Sequence, residues 1–530
     1  MSFIYKIANQ PSEFEQIIEL NYRTFVEEIP QHEENDSRTL IDKFHEENTY
    51  IICLKGERVI GMICVRSNRP FSLDSKIGNV ENHLPVEVEN PCEVRLLAVD
   101  AAYRNGRAFL GLVQALIRFC LKLGYDAALI SGTTREQKLY EQMGFKPFAY
   151  LTGNEDAAFQ PMYLTKETFD AGIAGRLLKE QVNFLPGPAT IAAEVSQGLS
   201  TVPYSHRSKE YESKLKLVKE QLKSLVNARH VQLLHGTGTL ANDVIAGQLR
   251  QLGGRGLILV NGEFGERLVN HAERFGLLFD TIEVEWGTTF LEEEVKATLT
   301  QGNYEWMWAV HCETSTGVLN DIDMLKEACK EYGLKLSIDC ISSIGAVPID
   351  LEGVSFASGV SGKALASYTG LSFVFHDEVV KPANNLPRYL DLGAYSAADG
   401  IPYSQSSNLL NALAGALKRY KNPDIVYKQI ANRHRFIRNG LEEAGLTVLS
   451  KEQYSVPAIM TVVLPVSQSA KHLGDNLYLN GFSLHYESSY LQQKNWIQIS
   501  CMNDVGEKDM KKMLRTLKGL CNMHNEASVR

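Results

Sequence analysis

Nine cysteines are scattered over 530 residues with no Cys-x-x-Cys and no Cys/His pairing at zinc-ligand spacing. The chain therefore offers neither a metal cage nor a disulfide framework, and its thiols read as small buried apolar residues. A surplus of positive charge is also missing: 54 Lys and Arg stand against 63 Asp and Glu, a formal charge of −9. Nucleic acid and anionic membrane surfaces, which attract proteins through a basic field, are excluded as expected partners. No stretch of about 18 consecutive apolar residues occurs, and the start MSFIYKIANQPSEFEQ lacks a basic segment followed by an apolar one, so the expected address is the cytoplasm. Internal repeats and low-complexity tracts are absent as well.

What remains is ordinary globular composition, 44% hydrophobic and 22% charged, over a length that calls for at least three structural units. Residues 1–165 mix strand patterns (YIICLKG, VIGMICVRS, EVRLLAVD) with an apolar-periodic helix beginning near Arg107, a compact α/β domain. Residues 166–182 are polar and partly helical, suiting a linker. From 183 to 415 short apolar runs alternate with helical patterns, which predicts a mostly parallel sheet with helices on both faces and a ligand site beyond the carboxyl ends of its strands. Residues 416–530 read as a smaller α+β domain: one long helix, then alternating strands such as PAIMTVVLP and WIQIS.

Strand ends in the 183–415 region carry the chemistry. HGTGT (235–239) is a Gly/Thr turn between strand and helix, where the amides of Gly238 and Thr239 can hold a phosphate or simply close a turn. Asp339 ends an apolar strand, where a carboxylate needs a cation or donor beside it, or else caps a turn. Lys363 follows 363 − 339 = 24 positions later, between SGVSG and YTGLSFVFH. A lysine there is either a snorkelling surface residue or a buried amine nucleophile of depressed pKa.

In that order, LPGPATIAAEV, SHRSKEYE, HGTGT, VNGEFGERL, HCETSTGVLN, SIDCISSIGAVPIDL and SGKALASYTGLSFVF resemble the class V aminotransferases of fold type I, the group with alanine–glyoxylate and 2-aminoethylphosphonate–pyruvate aminotransferases. The resemblance implies pyridoxal 5'-phosphate as cofactor, Lys363 as its Schiff-base residue, Asp339 on the pyridinium nitrogen, and Gly238 with Thr239 on the phosphate. It also implies Phe264 stacked on the ring, Thr314 near the ring oxygen, and a homodimer in which Ser404 reaches the second subunit's phosphate. Relatives anchor the substrate through an arginine in a C-terminal strand. Here Gln498 occupies that place, so Gln498 and Arg207 of SHRSKEYE are the candidate substrate-binding residues, with an ion pair to Glu210 or Glu212 as the alternative for Arg207. Lyase, racemase or decarboxylase chemistry stays open beside transamination.

Near the N-terminus, EVRLLAVDAAYRNGRAFLGLVQALIRFC and LYEQMGFKPF resemble the GNAT acyltransferases, and FVEEIPQHEEN with RPFSLD resembles the acyl-homoserine-lactone and long-chain N-acyl amino acid synthase branch. The resemblance implies acyl-CoA as co-substrate, its pyrophosphate bound by the loop of Arg104, Gly106 and Arg107. It implies Tyr140 as acid toward the departing thiolate and Glu93 as base for the incoming amine. The expected function is thus a bifunctional transferase for small amine and carbonyl substrates. The alternative is a silent acyl-CoA-sensing module beside one active enzyme.

Overall fold

A computed structural model describes residues 3–29, 31–104, 106–153 and 158–525. The chain divides into two compact units. Unit 1 comprises Met1–Val182, Ser467–Ser483 and Arg515–Arg530, and unit 2 comprises Asn183–Val466 and Leu484–Leu514.

Unit 1 is built on β1 (Ile4–Ile7), β2 (Thr49–Lys55), β3 (Arg58–Arg66), β4 (Pro91–Val99), β5 (Ala127–Thr133) and β6 (Ala158–Thr165), neighbours in that order, with two-residue strands Lys146–Pro147 and Thr152–Gly153 added to β6. All pairs are antiparallel except β4 and β5, which run parallel and pair only over Pro91–Glu93 and Ala127–Leu129. Beyond those residues the two strands part. Leu96 adopts a left-handed backbone, φ 52°, within β4. A helix Arg107–Leu123 starts at Gly106 and stops at Gly124, both at positive φ. It buries Leu112, Val113, Leu116, Ile117 and Phe119 against the sheet, the i, i+4 spacing of an amphipathic face. The helix Ala470–Leu479 completes this unit: Asn480 Oδ1 accepts from Tyr5 N at 3.2 Å, and Asn476 Oδ1 from Ile7 N at 2.9 Å.

Unit 2 carries a seven-stranded sheet of β7 (His230–Gly236), β8 (Arg255–Val260), β9 (Leu278–Glu283), β10 (Trp306–Val310), β11 (Lys335–Asp339), β12 (Phe356–Val360) and β13 (Gly370–His376). Their spatial order is β7-β13-β12-β11-β10-β8-β9, parallel throughout except for β13, which is antiparallel to both neighbours. β10 and β12 are buried along their whole length and β11 from Leu336 onward, as a sheet covered on both faces requires. The rest of unit 2 adds the long helix Pro423–Glu443 and a three-stranded antiparallel sheet containing β14 (Ile459–Val463) and β15 (Trp496–Ser500). Within it Thr461 pairs with Gln498. Sequence periodicity had located β7, β8, β10, β11, β13, β14, β15 and the long helix, but not β9 or β12.

All nine cysteines are free and buried. Among the described residues no group of His, Cys, Asp and Glu is arranged to hold a metal, and no helix is long and apolar enough to cross a membrane.

Candidate active sites

In unit 2, Asp339 closes β11 with its carboxyl enclosed. Oδ2 accepts from Asn242 Nδ2 at 2.8 Å and Oδ1 from Ile341 N at 2.9 Å. Burial raises its pKa above the usual carboxylate range. Lys363 lies in the turn between β12 and β13, which Ser361 Oγ ties by donating to Tyr368 O (2.6 Å), and in which Ala366 N donates to Lys363 O at 2.9 Å. Gly362 is required there, because a Cβ would stand 2.6 Å from Thr369 Oγ1. The Lys363 stem runs past Gly187, whose added Cβ would touch Cδ at 3.4 Å. Its amine has no ion pair or hydrogen bond among the described residues, and desolvation lowers its pKa against the opposing pull of Cys312 and Asp339.

The helix Gly238–Leu252 begins directly after β7. Its first amides, of Gly238 and Thr239, donate to no protein acceptor among the described residues, so they and the helix dipole are available to an anion. A Cβ at Gly238 would come 2.5 Å from Ile341 Cδ1, which fixes glycine at this close approach.

Phe264 is half-buried in the first turn of the helix Glu263–Arg274, with the Arg267 guanidinium 4.7 Å from its ring centroid. Thr314 is buried, its Oγ1 2.9 Å from Ser342 Oγ. Ser404 is exposed on the loop before the helix Ser407–Leu417. Arg207 is exposed and pairs with neither Glu210 nor Glu212. It lines a polar recess with Lys219, Arg229 and His376. Gln498 is fully buried, its amide engaged by Thr314, Ser315, Thr461, His485 and Tyr490, so as placed it offers a substrate no free donor.

Three groups important here escaped the sequence reading. Asn242 stands 242 − 238 = 4 positions into the helix from Gly238, one turn on, and that spacing was available as a signal. Glu313, inside HCETSTGVLN, is wholly enclosed and accepts from Gly265 N at 3.0 Å, Phe264 N at 3.1 Å, Ser315 N at 3.1 Å and the Ser315 hydroxyl. It fastens the start of the Phe264 helix, and burial pushes its pKa up to about 7. His485 had no signal in the sequence.

Unit 1 encloses a cavity of about 580 Å³ where β4 and β5 part. Its walls are largely apolar, among them Phe25, Leu97, Leu116, Ile130 and Phe145, with Glu93 and Tyr140 at the same cavity. Glu93 is fully buried and already occupied: it accepts from Ser72 N (2.8 Å), Ser72 Oγ (2.6 Å) and Leu73 N (3.0 Å), tying that loop to β4. Tyr140 packs against Gly132, where a Cβ would lie 2.9 Å from its ring, and burial raises its pKa. Arg104 donates from Nε to Val99 O at 2.8 Å and pairs with Glu28. Gly106 caps the helix that Arg107 opens, and none of the three lines the cavity.

Residues 191–388 match the family model "Aminotransferase class-V" and residues 16–166 match "N-acyl amino acid synthase FeeM". A soluble hydrogenase 42 kDa subunit of Anabaena cylindrica is 32% identical over 307 residues, covering 54% of this chain and 79% of that protein. The chain belongs to the class V aminotransferases. A 2-aminoethylphosphonate–pyruvate transaminase of Pseudomonas putida is 27% identical to this aminotransferase over 343 residues, 61% of this chain and 92% of the relative. The solved alanine–glyoxylate aminotransferase of Nostoc sp. superposes with a TM-score of 0.59 at 26% identity, over 64% of this chain and 95% of the other. This aminotransferase thus has the fold type I architecture and is a transferase fused to an N-terminal acyltransferase-type domain. Its family is of the pyridoxal-phosphate type, and the lysine site fits that group: an enclosed carboxyl short of a cation, an unpartnered amine, and free amides at a helix start.

Proposed function

We propose that unit 2 transfers an amino group between small amine and carbonyl substrates on pyridoxal phosphate held by Lys363, and that unit 1 transfers an acyl group from acyl-CoA to an amine. The observation that carries the first half is the conjunction at one sheet edge of Lys363, Asp339 and the free amides of Gly238 and Thr239. When bound, the cofactor supplies an electron sink for the carbon bearing the substrate's amino group. Asp339, whose buried carboxyl lacks a cation, would hold a proton on the ring nitrogen and be ionised by that pairing. Gly238 and Thr239 would take the phosphate, Phe264 would offer its ring to the cofactor's, and the Thr314 hydroxyl would serve the ring oxygen. Lys363, whose ammonium form burial disfavours, moves a proton at the substrate's α-carbon. A homodimer brings Ser404 to the second copy's phosphate. The free, buried thiols suit a reducing cytoplasm.

In unit 1 the apolar cavity suits an acyl chain, and Tyr140 returns a proton to the departing thiolate. The loop of Arg104, Gly106 and Arg107 is the proposed seat of the CoA pyrophosphate. Glu93 favours a second reading for this unit, an acyl-CoA sensor without turnover, because its oxygens already accept three hydrogen bonds.

Visible absorbance of the full chain given pyridoxal phosphate tests the first half. A lysine-linked band in wild type, lost in Lys363→Ala and bleached by amines, is expected. An unchanged spectrum in both proteins removes Lys363 from its role. For unit 1, release of free CoA thiol on adding acyl-CoA and an amine supports turnover, whereas saturable binding without release selects the sensor.

A further inference from the structure

The Gln498 side chain has an orientation that chemistry alone determines. One end lies 2.6 Å from Thr314 O, 3.2 Å from Ser315 O and 2.9 Å from Thr461 Oγ1. Carbonyl oxygens only accept, so this end is the amide nitrogen. Thr461 Oγ1 gives its own proton to Ser315 O at 2.9 Å and keeps a lone pair for the amide. The opposite end is then the oxygen, which accepts from Tyr490 OH at 3.2 Å and stands 2.9 Å from His485 Nδ1.

That assignment fixes the histidine. An amide oxygen has no proton to give, so His485 carries its proton on Nδ1, and in the neutral ring Nε2 is a bare lone pair. Burial and the charge of Lys363 both lower the imidazole's pKa, with only Gln498 and Glu487 pulling the other way. The ring is held as well: His485 N donates to Gln498 O at 3.2 Å, Gln498 N to His485 O at 2.8 Å, and Tyr490 meets the ring edge-on at 81°. Nε2 has no protein partner among the described residues. The guanidinium that Lys363 feels, Arg267, is tied to Glu263 at 3.0 and 3.1 Å.

His485 is joined through Gln498 to the carbonyls of Thr314 and Ser315 and feels the charge of Lys363, and a fixed, neutral acceptor there discriminates by charge. A carboxylate at Nε2 meets a lone pair and finds no cation on β15, whereas a hydroxyl or amino hydrogen finds its acceptor preset. We propose that His485 is a specificity-determining residue of the lysine site, its Nε2 accepting a hydrogen bond from a hydroxyl or second amino group of the amine substrate. The substrate class is therefore amino alcohols or diamines rather than amino acids with a carboxylate at that point. This rests on Lys363 as the Schiff-base residue.

The test is an absorbance titration of the reconstituted full chain with 2-aminoethanol, 1,2-diaminoethane, propylamine and alanine. A donor-bearing amine bleaches the lysine band at about tenfold lower concentration than propylamine, the scale of one hydrogen bond, and alanine needs more than propylamine. The better of the alcohol and the diamine names the donor. In His485→Phe that preference falls to within about twofold while the band itself stays. Independently of any reaction, ¹⁵N spectra of the wild-type ring show Nδ1 protonated and Nε2 bare. Alanine ahead of propylamine, a preference that survives in His485→Phe, or a protonated Nε2 overturns the proposal. No band in wild type overturns the lysine reading itself, and this proposal with it.

Discussion

Asp339 and Lys363 are pushed toward their neutral forms by the same enclosure, and each lacks the partner that would restore its charge. Asp339→Asn keeps Asn242 and Ile341 within reach but cannot hold a ring proton. Pyridoxal-phosphate affinity in equilibrium dialysis is expected to fall tenfold or more, on the order of 1.4 kcal/mol or above, with folding little changed. Glu93→Gln turns an NH2 toward donors in the Ser72 loop, and thermal denaturation of unit 1 should register a loss of about 1–3 kcal/mol. A smaller loss would mean that the loop supplies other acceptors. Asp339 and Lys363 stood out in the sequence as candidates because the ordered motifs at successive strand ends, and the resemblance they carry, single them out where either residue alone would not. What Glu93 and Gln498 do was not legible, since their partners lie 21 residues away at Ser72 and 184 away at Thr314, and a pattern in sequence names a place without naming the neighbour.

Helices in unit 2 start where strands end, and two of those starts are testable. Gly238→Ala drives a Cβ to 2.5 Å from Ile341 Cδ1. The isoleucine can rotate but the cradle narrows, so a cost of about 1–3 kcal/mol in stability is expected, with weakened inorganic phosphate binding by calorimetry. Asp321 caps the helix Ile322–Tyr332 by accepting from Asp323 N and Met324 N, both at 3.0 Å. Asp321→Ala should cost about 1 kcal/mol in denaturant titration and leave cofactor binding alone. Alternating periodicity made these elements readable in advance. The parting of β4 from β5, which opens the unit 1 cavity, was not readable, because a strand's pattern records which face is buried and not where pairing stops.

At the scale of the molecule, three enclosed histidines set the acid limit. His311, His376 and His434 are each lowered by burial from 6.5 to about 4. A depressed pKa means that the unfolded chain takes protons the fold refuses. The stability tied to these rings is complete above about pH 6.5 and is lost as pH falls toward about 4. Glu313, raised from 4.5 to about 7, acts oppositely: its contribution is whole below 4.5 and is lost as pH rises through about 7. Three rings outweigh one carboxyl in the window they share, so the melting temperature of the cofactor-free chain should drop between pH 6.5 and 4. A flat profile would show that these rings already stay neutral in the unfolded chain.

Unit 1 draws its helix Ala470–Leu479 from residues far beyond the segment that supplies its sheet. On the ribosome, its strands emerge hundreds of residues before the helix that accepts Tyr5 and Ile7 amides, so the sheet waits with one flank uncovered while unit 2 is translated. The first domain to begin folding is thus the last to finish. Nascent chains halted before residue 467 should hold unit 1 in a protease-sensitive state that release of the remaining chain abolishes.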